Sequence, residues 1–250
     1  MRQVGFIALV MMALFIQGCA SKSPIADKAD IDEASRLYTD LGLGYMQQGM
    51  YERAMAKLKK AIEYKDSNAT AHHYLAEVYK QIDDPEFAEK HYLRATKLAP
   101  NDASILNNYG AFLCSQSRFE DSEKYFLKAV ATPRYRTPEL SYENIALCAM
   151  RVDNSDKAVE YFRKALEVNP GLPKSLFNLA QISYSEGNFL QARAFLQRLH
   201  RVRGLAEQGL RLGIKVETAL GDAEAVARYH QILEERSNPT ENINRSMGTQ

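Results

Sequence analysis

Hydrophobic and polar positions recur along most of the chain with the spacing of helices that are buried on one face. Tyr38, Leu41, Gly42 and Tyr45 form one apolar stripe, and Ala54, Leu58 and Ala61 form the next. About 34 residues later the two-part register returns as Leu75, Ala76 and Tyr79, then Ala88, Tyr92, Ala95 and Pro100. A third copy reads Leu106, Tyr109, Gly110 and Leu113, then Ser122, Phe126 and Ala129. Two extra residues precede the fourth, Tyr142, Ile145, Ala146 and Ala149 followed by Ala158, Phe162, Ala165 and Pro170. The fifth is Leu176, Leu179 and Ala180, then Ala192, Leu196 and Leu199. A weaker sixth, with its register slipped by a residue, holds Leu212, Gly213, Val216, Ala225 and Tyr229. Each copy predicts two helices that approach closely at a Gly or Ala of the first. Turns such as Gly49, Met50 and Tyr51 separate the two, and Pro100 and Pro170 fall just past second helices, where a missing N–H breaks no ladder.

This register resembles the tetratricopeptide repeat. The resemblance implies an all-α fold, a right-handed superhelical solenoid of about six helix pairs whose first helices line the concave face. The repeats fall at about 35–68, 69–102, 103–138, 139–172, 173–205 and 206–236, within a domain spanning 32–236. The divergent last copy suits a terminal cap. Residues 237–250, rich in Asn, Thr, Ser and Gly, read as a disordered tail.

The N-terminus follows a different rule. Val4 to Ile16 is an apolar run of about thirteen residues, short of the roughly 20 that a membrane span needs, and Arg2 is the one charge ahead of it. Residues 1–18 therefore read as a secretory signal peptide. Ile16, Gln17, Gly18 and Cys19 resemble a bacterial lipobox, which implies cleavage before Cys19 and acylation of it. Ala20 in place of an aspartate implies delivery to the outer membrane. Two or three acyl chains would anchor the protein durably at the periplasmic face, and residues 19–31 would form a short tether.

Composition narrows the chemistry. With 32 Lys+Arg against 31 Asp+Glu over 250 residues, no bulk field attracts nucleic acid or an anionic surface. Partner choice must be local. No catalytic constellation, nucleotide loop or metal-ligand spacing stands out, so neither an enzyme, a cofactor, a metal nor a small-molecule substrate is expected; the covalent lipid on Cys19 is the one attached group. His72 and His73 point to different sides of one helix, and His91 belongs to another. Cys114 and Cys148 fall on neighbouring first helices in different phases, which favours two buried or groove-lining thiols.

Counting inward-facing places within each repeat nominates a partner-binding groove. It comprises Leu43 and Met46, then His73, Asn107 and Asn108, then Glu143, Asn144, Leu147 and Met150, and finally Phe177, Asn178 and Tyr184. Thr39 would also look inward. Asn108, Asn144 and Asn178 share the sixth place of three successive repeats. Their carboxamides either pair with the backbone of an extended peptide or bridge to the neighbouring helix. Asn68 reads as a plain turn residue by comparison.

A lipobox, six repeats and a short polar tail together resemble the pilotin lipoproteins of type IV pilus systems, the PilF/PilW type. The resemblance implies binding of secretin subunits, their delivery to the outer membrane and promotion of their multimerisation. An adaptor for peptidoglycan hydrolases or synthases is the alternative, since other lipoproteins of this fold serve the wall machinery.

Overall fold

The computed structural model describes residues 28–237. Among them the chain forms twelve α-helices and no strand. In order they are α1 (Lys28–Gln47), α2 (Tyr51–Tyr64), α3 (Ala69–Gln81), α4 (Pro85–Leu98), α5 (Ala103–Ser115) and α6 (Phe119–Val130). They continue as α7 (Pro138–Met150), α8 (Ser155–Val168), α9 (Pro173–Ser185), α10 (Phe189–Arg203), α11 (Glu207–Leu220) and α12 (Ala223–Ser237). The fold is an all-α repeat solenoid of helix hairpins. Cys19 with the signal segment, and positions 238–250, lie outside the described residues. Helix α1 begins at Lys28, ahead of the start at 32 that the pattern predicts, and Asp30 in its first turn favours the positive helix end. Ser237, counted with the tail, closes α12.

The sequence punctuates these helices with ordinary chemistry. Asn68, Asp102 and Asn154 cap α3, α5 and α8, accepting from Ala71 N at 3.0 Å, Ser104 N at 2.9 Å and Lys157 N at 3.0 Å. Pro138 and Pro173 open α7 and α9, where a missing N–H costs little. Each of five successive hairpin turns holds one residue at positive φ, and only two of the five are glycine. They are Gly49, Asp83, Ser117, Asp153 and Gly187.

The chain divides into two compact units, one to His91 and one from Tyr92, the division falling inside α4. In the first unit Ala54, Leu58 and Ala61 of α2 are fully buried. A Cβ on Gly42 would stand 2.5 Å from Leu58 Cγ, so the two helices pack at a distance that only glycine permits. Leu41 is 41% exposed, although its counterparts Leu75, Tyr109, Ile145 and Leu179 are at most 2% exposed. That seventh place faces the preceding hairpin, and among the described residues none precedes α1. A small polar cluster ties α1 to the α2–α3 junction. Ser35 Oγ donates to Ala61 O at 2.9 Å, and Asn68 Nδ2 donates to Ser35 Oγ at 2.8 Å and to Thr39 Oγ1 at 3.0 Å. Asn68 is thus a cap and a bridge at once, and Thr39 is buried.

In the second unit a core runs from Cys114 to Val216. Gly110 meets the Phe126 ring as Gly42 meets Leu58, since a Cβ there would lie 2.9 Å from Cδ1. Cys114 and Cys148 are joined as a disulfide between α5 and α7, with Cα atoms 6.0 Å apart. This corrects the expectation of two separate thiols. Neighbouring first helices are offset by two places, so the twelfth residue of one repeat faces the tenth of the next. The difference in phase is what brings the sulfurs together.

Two glycines separated by one residue on α1 test the packing argument. Gly42→Ala should destabilise the protein by about 1–3 kcal/mol through overpacking. Gly44, with nothing within 4 Å of a built Cβ, should gain about 0.5–1 kcal/mol as Ala. Urea unfolding of the two variants reads the opposite signs.

Candidate functional site

The nominated residues fall in both units. In the first, Leu43 and Met46 are half-buried on α1. His73 is buried, 5% exposed, beside Glu77 on α3. The remainder lie on α5, α7 and α9 of the second unit, where the two-place offset decides what they touch. Asn107, fifth in its repeat, accepts from Ser141 Oγ at 2.9 Å and from Asn144 Nδ2 at 3.2 Å, and Tyr135 OH lies 3.2 Å from the same serine. One carboxamide oxygen therefore fastens α7 to α5. Asn178 Nδ2 turns back to Lys174 O of its own helix at 2.8 Å. Two of the three sixth-place asparagines thus spend a donor within the protein. Asn108, the third, is half-buried and also engaged.

Glu143 stands in the next repeat where Asn107 stands in the previous one, with Ser175 opposite in the place of Ser141. It is only 6% exposed. Its Oε1 and the Ser175 Oγ are buried without a hydrogen-bond partner. Burial pushes the Glu143 carboxyl above the usual carboxylate range, and the nearby Lys174 charge and Ser175 dipoles only partly oppose it. Around this polar floor Leu147, Met150, Phe177 and Tyr184 are half-buried and packed against the core, leaving part of each surface open. Met and aromatic surface of this kind is typical of polypeptide-binding faces.

Two networks were not legible in the helical pattern. On α6 and α8, Lys157 Nζ lies 2.7 Å from Glu123 Oε2 and Tyr161 OH donates to Glu123 Oε1 at 2.8 Å. Burial raises the Glu123 carboxyl, but these two bonds outweigh it and hold the group below its ordinary value. In the first unit His72 Nε2 lies 3.0 Å from Asp66 O, which places its proton there, and His72 Nδ1 then accepts from His91 Nδ1–H across 2.9 Å. Burial, with repulsion from His72, Lys90 and Lys59, lowers His91 to about 4. His91 is therefore neutral at pH 7, and both ring nitrogens of His72 are spent on hydrogen bonds. Among the described residues no group of His, Cys, Asp and Glu side chains is arranged to hold a metal. No described helix is long and apolar enough to cross a membrane.

Family models of the tetratricopeptide repeat match residues 42–83, 79–136 and 144–204. The type IV pilus assembly protein PilF of Pseudomonas aeruginosa is 32% identical over 222 residues, which cover 88% of this chain and 88% of that protein. A structure of Pseudomonas aeruginosa PilF matches with a TM-score of 0.73 at 33% identity, covering 84% of this chain and 94% of that one. The crystal structure of PilW, described as a widely conserved type IV pilus biogenesis factor, matches with a TM-score of 0.70 at 29% identity, covering 85% and 98%.

Two titrations test the electrostatics. A folded-state pKa raised at Glu143 means that its stabilising contribution is complete below about 4.5 and is lost as pH rises through the folded value. Glu143→Gln should therefore be more stable than the parent by about 1 kcal/mol at pH 7, with the gain disappearing in acid, as read by urea unfolding at both pH values. His91 has the opposite dependence. Its lowered pKa gives stability that is complete above 6.5 and lost as pH falls toward about 4. The thermal midpoint should fall across that window, and His91→Gln should flatten the fall.

Proposed function

Because the chain belongs to the family of type IV pilus biogenesis tetratricopeptide-repeat proteins that includes PilF and PilW, we propose that it is a pilotin. In this reading it binds subunits of the pilus secretin, carries them to the outer membrane and promotes their multimerisation. The observation that carries the reading is the relation to PilF along nearly the whole chain, in sequence and in structure. The site is in keeping with it. An array of first helices presents half-buried Leu147, Met150, Phe177 and Tyr184 above carboxamides already locked in place, a surface suited to gripping a polypeptide. The lipobox-like run ending at Cys19 supplies the address in this proposal, with the lipid holding the protein at the periplasmic face of the outer membrane. The protein then acts as a scaffold rather than a catalyst.

A deletion strain should lose surface pili and secretin multimers together. Cys19→Ala should leave the fold intact, as read by circular dichroism, yet release both the protein and its secretin from the outer-membrane fraction. Multimers at normal level and location in the deletion strain would sink the proposal. A cell-wall defect with normal pili would point instead to an adaptor for peptidoglycan enzymes.

A further inference from the structure

A cavity of about 180 Å³ opens where α9, the end of α10 and the start of α11 meet. Phe177 and Leu199 contribute apolar wall, and Lys174, Arg203 and Gln208 contribute its polar part. Helix α10 is followed by Gly204 at φ 73°, a backbone angle that favours glycine, and this residue redirects the chain into α11.

The size limits the occupant. Pockets for whole small molecules span roughly 300–1,000 Å³, whereas an apolar cavity of roughly 150 Å³ accommodates a benzene ring. This cavity takes one ring-sized or leucine-sized side chain.

The charge around it is one-sided. Helix α10 carries Arg193, Arg198, Arg201 and Arg203 and no carboxylate. Arg193 is committed to Glu217 and Asp222, and Arg198 reaches Pro170 O at 3.3 Å. Among the described residues Arg203 and Lys174 form no ion pair within 4.0 Å. Glu143 acts on Lys174 only at longer range, from a buried position. Glu207 at the start of α11 is taken by Arg211 at 2.7 Å. In a chain whose charges otherwise balance, an apolar cavity with two cations beside it that no carboxylate holds in an ion pair selects an acidic partner over a basic or neutral one.

We propose that this cavity is a subsite for a partner polypeptide presenting one aromatic or leucine side chain flanked by aspartate or glutamate. The apolar side chain enters against Phe177 and Leu199, and the carboxylates meet Lys174 and Arg203. The inference rests on the reading that this chain binds a polypeptide partner, and it names the kind of segment gripped by the fifth and sixth helix hairpins. Neither Lys174 nor Arg203 belongs to the groove that the repeat pattern nominates.

The test uses the full-length chain in detergent and three fluorescein-labelled heptapeptides read by anisotropy at low salt. Their centres are Asp-Phe-Asp, Asn-Phe-Asn and Asp-Ala-Asp within identical Ser-Gly flanks. The first should bind at least about tenfold more tightly than Asp-Ala-Asp, the factor that burying a side chain of this size supports, and about threefold more tightly than Asn-Phe-Asn, as exposed ion pairs allow. Arg203→Gln should weaken the preference for Asp over Asn while keeping that for Phe over Ala, and Phe177→Ala should do the reverse. Arg203 is exposed, so its variant carries the test even where Phe177→Ala perturbs the fold. Equal binding of the three peptides, or an Asp preference unchanged in Arg203→Gln, overturns the subsite. Anionic phosphatidylglycerol vesicles that displace the Asp-Phe-Asp peptide and bind the parent but not Arg203→Gln would also overturn it, by assigning the cations to a lipid surface. The outcome is separable from the pilotin reading. Discrimination among peptides with normal secretin multimers in the deletion strain retains the subsite and removes the pilotin role, and loss of multimers without discrimination does the opposite.

Discussion

Two helices meeting across a missing side chain are the contact on which everything else depends. Gly42 lies against Leu58, Gly110 against Phe126 and Gly213 against Tyr229, each too close for a Cβ. The large partner residue fills the space that the glycine vacates, so each of these three hairpins is sealed along one seam, and the buried Ala76, Ala146 and Ala180 hold the same place in the others. A sealed hairpin still has apolar flanks, and only a neighbour can cover them. This is why the core of the second unit continues through hairpin after hairpin, and why Leu41, with no hairpin before it among the described residues, is left 41% exposed.

Stacking of hairpins sets a second rule, the offset of two places between successive first helices. It carries Asn107 to Ser141, Glu143 to Ser175 and Cys114 to Cys148. The same geometric relation thus hosts an amide bridge, a buried carboxyl opposite a serine and a covalent bond. Of the carboxamides that looked available for a partner, Asn144 is held by this relation and Asn178 by its own helix, and Leu147, Met150, Phe177 and Tyr184 remain partly open beside them.

Much of this was legible in the chain. The repeat register announced an all-α stack of helix hairpins, because a 3.6-residue period with one small residue per pair is a local signal that tertiary contacts reinforce. What depends on the relation between repeats was harder to read. Glu143 and His73 look inward by count and are buried in fact, since counting within one repeat ignores the helix packed beside it. The cysteines appeared to be out of phase for the same reason. Asn68, read as a turn residue, satisfies an amide of its own helix and two hydroxyls of α1, and no local pattern announces a side chain with two tasks. The His72–His91 pair joins residues that hydrophobic periodicity treats as unrelated.

The covalent link between α5 and α7 has a consequence for how this stack comes apart. In a linear array held by nearest neighbours, opening begins at an end and travels inward until it meets a junction stronger than the rest. The third and fourth hairpins cannot be parted while their sulfurs are joined. Unzipping from the carboxyl end is arrested there, and the hairpins beyond Leu172 can loosen and close again without the loss of the rest of the second unit. Oxidation thus sets a covalent boundary within the second unit, between the hairpins it joins and those that follow.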